Sequence, residues 1–171
     1  MTRTILFDWG GTLMSEDGPL DIAMGLWPEV RAIPGAQLTL AALAPRFRLA
    51  VATNATVSRR DMIERALERV ALRRYISEIF CFTEIGARKD APEFWAAVVE
   101  RLDAKPSELA MVGDSFDQDV LAPRRFGIHA IWFNEDGRRP APVERVPTIH
   151  RLPELVPLIG NWSGRRSSAA P

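Results

Sequence analysis

Cysteine is almost missing from this chain of 171 residues: Cys81 stands alone, so no internal disulfide can form and no cysteine-rich metal site can be assembled. Set between Phe80 and Phe82, it reads as a buried strand residue rather than a reactive thiol. Net charge is missing too. Lysine plus arginine and aspartate plus glutamate number 22 each, which gives no electrostatic reason to expect a nucleic acid or a membrane surface as partner. Any phosphate specificity must be local. No apolar run approaches the roughly 20 residues that cross a bilayer, and Thr4-Ile5-Leu6-Phe7 is too short for a signal-peptide core, so the expected location is the cytoplasm. His129 and His150 have no acidic residue or second histidine at ligand spacing and read as structural. Internal repeats are absent as well.

What is present is a run of short segments rich in Ile, Val and Phe, alternating with longer ones of helical period, as expected when parallel strands are joined by crossover helices. The fold class is α/β: a three-layer Rossmann-like arrangement with a mostly parallel sheet of about five strands and helices on both faces. Strands are expected at Thr4 to Asp8, Arg48 to Thr53, Ile79 to Thr83, Leu109 to Asp114 and Ala130 to Phe133, with a further short one near Thr148-Ile149. Ser58 suits the N-cap of a helix carrying Met62, Ile63, Ala66, Leu67 and Val70, and Pro92 suits the first turn of a helix through Phe94, Val98 and Leu102. A third helix spans about Asp117 to Phe126, stopped by Gly127 and kinked or shortened by Pro123. Residues 134–147 read as an irregular surface segment and Leu152 to Ile159 as a final short helix. One domain is expected over residues 1–160, with the polar end, from about Gly160 and 161–171 above all, disordered.

Ligands of an open parallel sheet bind beyond the carboxyl ends of its strands, which groups Asp8, Thr53 and Asp114. A carboxylate there can attack phosphorus, and a second can hold Mg²⁺, which prefers oxygen ligands. Four motifs stand in order: Ile5-Leu6-Phe7-Asp8-Trp9-Gly10-Gly11-Thr12-Leu13; Val51-Ala52-Thr53-Asn54; Lys89 followed by Pro92-Glu93-Phe94; and Gly113-Asp114-Ser115-Phe116-Asp117-Gln118-Asp119. Over residues 4–160 this pattern resembles the haloacid dehalogenase superfamily. The resemblance implies that Asp8 is the nucleophile and a metal ligand, supported by Thr12, with the backbone carbonyl of Gly10 completing part of the coordination. It also implies that Thr53 and the amide of Asn54 bind phosphate oxygens, that Lys89 neutralises charge beside Asp8, and that Asp114 ligates Mg²⁺ with Asp119 close behind. Taken singly, these residues are also ordinary strand ends, loop starts and a surface charge.

The chain departs from the family pattern at Gly10, where most of the superfamily's phosphatases carry a second aspartate for general acid–base work. That contribution is typically ~10²–10⁴-fold, so a slow phosphatase is one expectation. A regulatory module that binds phosphate and metal with little turnover is a second, and a hydrolase like the phosphonatases or dehalogenases a third. Asp8-Trp9-Gly10-Gly11-Thr12 looks like the phosphonatase motif, but no lysine lies between Thr12 and Pro34 to form that family's imine. Glu16 and Asp17 follow in a flexible stretch from which either can reach in, although an exposed turn is the plainer role. About 45 residues separate Asp8 from Thr53 and about 36 separate Thr53 from Lys89, enough for core helices and only a minimal cap. The expected substrate is phosphorylated, small or macromolecular, reached through an open site that a homo-oligomer could cover. Trp9, Met24 and Trp27 read either as its apolar rim or as packing; Arg124-Arg125 and Arg138-Arg139 read as solvated charge.

Overall fold

A computed structural model describes residues 2–137, 139 and 145–164. Its six strands form one parallel sheet: β1 (Thr4–Phe7), β2 (Arg48–Thr53), β3 (Glu78–Cys81), β4 (Leu109–Gly113), β5 (His129–Phe133) and β6 (Thr148–Ile149), in the spatial order β3-β2-β1-β4-β5-β6. The two-residue β6 makes the sheet one strand wider than the five expected. Strand β3 also stops earlier, because Phe82–Ile85 turns into a single helical turn, α3 once α1 (Ala36–Leu43) and α2 (Arg60–Arg69) are counted.

Side chains that alternate along the strands divide the core into two layers. Ile5, Phe7, Leu49, Val51, Ile79, Val112 and Ile131 face α1, α2 and the last helix, meeting Leu40, Leu43, Ile63, Leu67, Leu155 and Ile159. Leu6, Ala50, Ala52, Phe80 and Met111 face the other way onto Phe94, Trp95, Val98 and Leu102 of α4 (Pro92–Leu102). Cys81 is buried in the first layer.

Three helices differ from expectation. Arg59, in extended conformation, occupies the N-cap of α2 without a side-chain hydrogen bond, because the Ser58 hydroxyl accepts instead from the Met24 amide at 3.2 Å. The segment before Gly127 is not one helix. A π-helical turn at Phe116–Leu121 hands over to the short α5 (Ala122–Arg125), with Pro123 at the start of α5, where the turn changes from π to α. The last helix, α6 (Leu155–Gly164), runs beyond Ile159, so the expected disorder does not begin at Gly160; residues 165–171 lie outside the described ones. Within 134–147, Glu135–Gly137 forms a 3₁₀ turn, while 138 and 140–144 are likewise outside. Among the described residues no helix is long and apolar enough to cross a membrane.

After β1 the chain moves outward through β2 and β3, then returns to place β4 on the other side of β1. The direction of winding reverses between β1 and β4, and the loops leaving their carboxyl ends splay apart to leave a crevice. Asp8 follows β1 directly and Asp114 follows β4.

Candidate active site

Parallel pairing in register places Phe7 beside Val112, so the next residues of β1 and β4 emerge side by side. The Asp8 amide donates to the Val112 carbonyl at 2.8 Å and extends the ladder into the site. Beyond Asp8 the backbone folds tightly: the Trp9 carbonyl accepts from Leu13 and Met14 at 3.0 and 2.8 Å, and the Gly11 amide donates to Met14 at 2.8 Å. Gly11 has φ +75°, and a Cβ there would lie 3.1 Å from the Asp114 carboxylate. Both the left-handed backbone and the close approach require glycine. Thr12 is wholly buried inside this turn, accepting from the Asp114 amide at 3.2 Å, with its hydroxyl 3.5 Å from Asp8 Oδ2.

Lys89 reaches the same place from the loop before α4. Its Nζ donates to Asp8 Oδ1 at 2.6 Å and to Asp119 Oδ1 at 2.5 Å, with the lysine side chain only 2% exposed and that of Asp119 fully buried. The π-helical turn aims Asp119 back towards β4, where its second oxygen accepts from the Ser115 amide at 3.0 Å. The Lys89 loop is clamped in turn: its amide donates to Asn54 Oδ1 at 2.9 Å, its carbonyl accepts from the Trp95 indole at 2.6 Å, and Asn54 Nδ2 donates to Gln118 at 2.9 Å.

Three carboxylates thus meet two cations, Lys89 buried between Asp8 and Asp119 and Arg139 against Asp114 from the exposed side, which leaves an excess of negative charge. Burial pushes the Asp8 carboxyl up to about 7, Lys89 pulls it back, and the charges of Asp119 and Asp114 raise it further. Asp119 is also raised, by burial, against the pull of Lys89. Burial works against the charge on Lys89, but Asp119 and Asp8 outweigh it and its pKa is raised. One oxygen each of Asp8, Asp114 and Asp119 lies within 4.8 Å of the others. An all-oxygen donor set that is short of positive charge fits a hard divalent cation such as Mg²⁺.

A family of haloacid dehalogenase-like hydrolases matches residues 19–127, more than half of the chain. The chain belongs to that family. Its sequence is 27% identical over 134 residues to a glyceraldehyde 3-phosphate phosphatase of Methanothermobacter thermautotrophicus, covering 73% of this chain and 58% of the relative. It is also 27% identical over 136 residues to a ribulose-1,5-bisphosphate 5-phosphatase of Halopiger xanaduensis, covering 77% and 55%. The chain therefore spans little more than half the length of these relatives. Among solved structures, a HAD hydrolase of Bacillus subtilis bound to magnesium superposes with TM-score 0.77 at 18% identity, covering 92% of this chain and 98% of the other, a likeness of fold.

In this haloacid dehalogenase-like hydrolase the site opens into a cleft of about 390 Å³ whose lining includes Asp8, Gly10, Glu16, Thr53, Val57 and Arg88. Thr53, buried at the end of β2, accepts from the Ala55 amide at 3.1 Å. The Asn54 side chain is engaged with Lys89 and Gln118, so it holds the lysine loop in addition to the expected role of its amide. Trp9, Met24 and Trp27 line the cleft while remaining at most 5% exposed, so rim and packing are the same residues. Among the described residues, nothing hydrogen-bonds to the buried Trp9 indole N–H.

Sequence reasoning misses two features here and leaves a third open between two residues. Arg139 reads in the sequence as solvated charge, but its guanidinium donates to Asp114 Oδ2 at 2.7 Å and to the Asp114 carbonyl, which also accepts from the Trp132 indole at 3.0 Å. Gln118, the clamp on Asn54, gives no signal beyond its place inside the fourth motif. Glu16 and Asp17 are both exposed, but they part company: Asp17 accepts from Ser15 Oγ at 2.5 Å, whereas Glu16 lines the cleft beside Asp8 and Gly10. Partial burial, then the charge of Asp114, raises the Glu16 carboxyl.

Proposed function

We propose that the chain is a Mg²⁺-dependent phosphatase that works through an aspartyl-phosphate on Asp8. The observation that carries this reading is the meeting of Asp8, Asp114 and Asp119 at the reversal point of the sheet, with Lys89 held between Asp8 and Asp119. Asp8, Asp114 and Asp119 would hold the ion, which when bound offsets the repulsion between the Asp8 carboxylate and an anionic phosphate. Lys89 and Asp119 hold Asp8 in one orientation, and the Lys89 ammonium meets charge that builds up on the transferring group. Positioning and charge stabilisation are the main means by which phosphoryl transfer is catalysed. Thr53 and the Asn54 amide would receive phosphate oxygens at the end of β2.

The curated relatives named as phosphatases support ester hydrolysis, and the magnesium-bound neighbour supports the choice of ion. The cleft volume falls in the ~300–1,000 Å³ range of small-molecule sites, which favours a small phosphorylated substrate over a macromolecule. Imine chemistry is disfavoured, because it needs a neutral lysine and Lys89 is held charged between two carboxylates.

The test incubates the full chain with Mg²⁺ and a panel of phosphate esters beside an Asp8→Asn control, with mass spectrometry of the residue 8 peptide. Phosphate release that needs both Mg²⁺ and Asp8, together with phosphorylation at Asp8, is the expected result. Equal release by the two proteins rejects the assignment.

A further inference from the structure

Transfer of a phosphoryl group from an ester to a carboxylate leaves an alkoxide that needs a proton, and hydrolysis of the resulting acyl phosphate needs a water that gives one up. Asp8, Asp114 and Asp119 are all engaged elsewhere: Asp8 and Asp119 hold Lys89, and Asp114 holds Arg139. Gly10, two residues beyond Asp8, has no side chain to offer. Its surroundings are nonetheless occupied. A Cβ built on Gly10 would lie 2.7 Å from Glu16 Cδ and 3.1 Å from Glu16 Cγ, with Glu16 Oε1 nearer still. The Glu16 carboxylate therefore fills the space into which a side chain at residue 10 would point.

Backbone bonds fix the segment that carries it. The turn from Trp9 to Met14 brings the chain back past Gly10, where Met14 bridges both Gly10 and Ala32. The Ser15 amide then donates to Arg31 at 2.8 Å, and the Ile33 amide donates to Leu13 at 2.9 Å. Glu16 follows directly on this pinned segment and lines the cleft together with Asp8, Gly10 and Thr53. Among the described residues its carboxylate has no hydrogen-bond or ion-pair partner, so it can exchange a proton without breaking a contact.

We propose that Glu16 is the proton-transfer residue of this site, taking from a different point in the sequence the place that Gly10 leaves open. This rests on the phosphatase reading above. In the first step an Asp8 oxygen bonds to phosphorus, the ester P–O bond breaks, and the leaving oxygen takes the proton of Glu16 to depart as an alcohol. In the second step water bonds to phosphorus and gives its proton to the Glu16 carboxylate as the P–O bond to Asp8 breaks. Inorganic phosphate leaves, and Asp8 and protonated Glu16 are regenerated. Loss of such a group typically costs ~10²–10⁴-fold in rate.

The experiment compares the full chain with Glu16→Gln on an alkyl phosphate and on 4-nitrophenyl phosphate, whose leaving phenolate needs no proton. Expected are a loss of about 100-fold or more in kcat/KM for the alkyl ester, a much smaller loss for the aryl ester, and accumulation of phospho-Asp8 detected by mass. The exposed Asp17→Asn variant keeps wild-type rates. A complementary test exploits the backbone. Gly10 is not among the positive-φ glycines, so residue 10 accepts a side chain once Glu16 is cut back. Gly10→Asp/Glu16→Ala should recover activity lost in Glu16→Ala. Wild-type turnover of the alkyl ester by Glu16→Gln, or equal losses on both esters without trapped phospho-Asp8, overturns the proposal while leaving the phosphatase reading intact. An Asp8→Asn protein as active as wild type overturns both.

Discussion

On the sheet side of the cleft, Asp8, Lys89 and Asp119 form a buried ionic cluster joined by contacts of 2.5–2.6 Å and clamped from behind by Asn54, Trp95 and Ser115. On the opposite side, the segment between β1 and α1 leaves Leu20 68% exposed and Ile22 44% exposed. It is tied down by a handful of bonds: the Met24 amide to Ser58, the Trp27 indole to the Ile22 carbonyl, and Arg69 to the carbonyls of Trp27 and Pro28. Charge that must not move is buried among rigid strand ends, while apolar surface that must adapt to a ligand lies on a connection fixed at a few points. The contrast assigns the ionic chemistry to one wall and apolar recognition to residues 20–27 of the other, with Glu16 at the start of that segment where the two meet.

Lys89→Met should have the largest effect, since it removes the buried cation shared by Asp8 and Asp119. Breaking a buried pair by deleting one partner costs about 3–5 kcal/mol, so denaturant unfolding should show a loss of that order and turnover should disappear. A stable, active Lys89→Met protein would mean that Asp8 and Asp119 do not depend on Lys89 and that the cluster is not the mutually dependent unit its geometry indicates.

Metal and pH sharpen the same wall. The folded-state pKa of Asp8, about 7, lies above its ordinary 3.8. Folded Asp8 therefore holds its proton more tightly than unfolded Asp8, and the stability this contributes is full below about 3.8 and lost as pH rises towards 7. Mg²⁺ competes with that proton. The rise in Tm on adding Mg²⁺ should be larger at pH 8 than at pH 6, and Asp114→Asn should diminish it at both; calorimetry of metal-free and loaded protein reads this directly.

How far this contrast can be read in the sequence depends on whether a signal is local. The floor is legible because strands announce themselves by alternation, and Asp8, Thr53 and Asp114 fall at or just past strand ends, where parallel-sheet topology must gather them. Pro92 marks the start of α4 for an equally local reason. By contrast α1, reading Ala-Gln-Leu-Thr-Leu-Ala-Ala-Leu, is apolar on nearly every side and carries no capping side chain, so nothing in the sequence singles it out; Leu38 stays exposed in it. The position of Glu16 depends on a turn closed by backbone bonds between residues 9 and 14, and spacing in the sequence is blind to that. Ser58 resembles a helix cap because a hydroxyl before a helix usually is one; a loop 34 residues earlier claims it instead.

The recognition wall should respond differently from the floor. Leu20→Ser and Ile22→Ser remove exposed apolar surface, so Tm should hardly move, whereas KM for a substrate with an apolar portion should rise several-fold at unchanged kcat. A fall in kcat without a rise in KM would move this segment from binding to chemistry.

The smallest change tests whether the two walls are independent. Ser58→Ala deletes one hydrogen bond of 3.2 Å to the Met24 amide and leaves that buried donor without its acceptor. The cost should be about 1–2 kcal/mol, visible as a modest fall in Tm. Met24 and Trp27 lie behind the exposed part of the segment, and Ser58 itself lines the same cleft as Glu16. Loosening this tie should therefore raise KM more than it lowers kcat, because Asp8, Lys89 and Asp119 share no hydrogen bond with it. If kcat falls as far as KM rises, the segment also keeps Glu16 in register over Gly10, and recognition and proton transfer are coupled through the loop rather than divided between the walls.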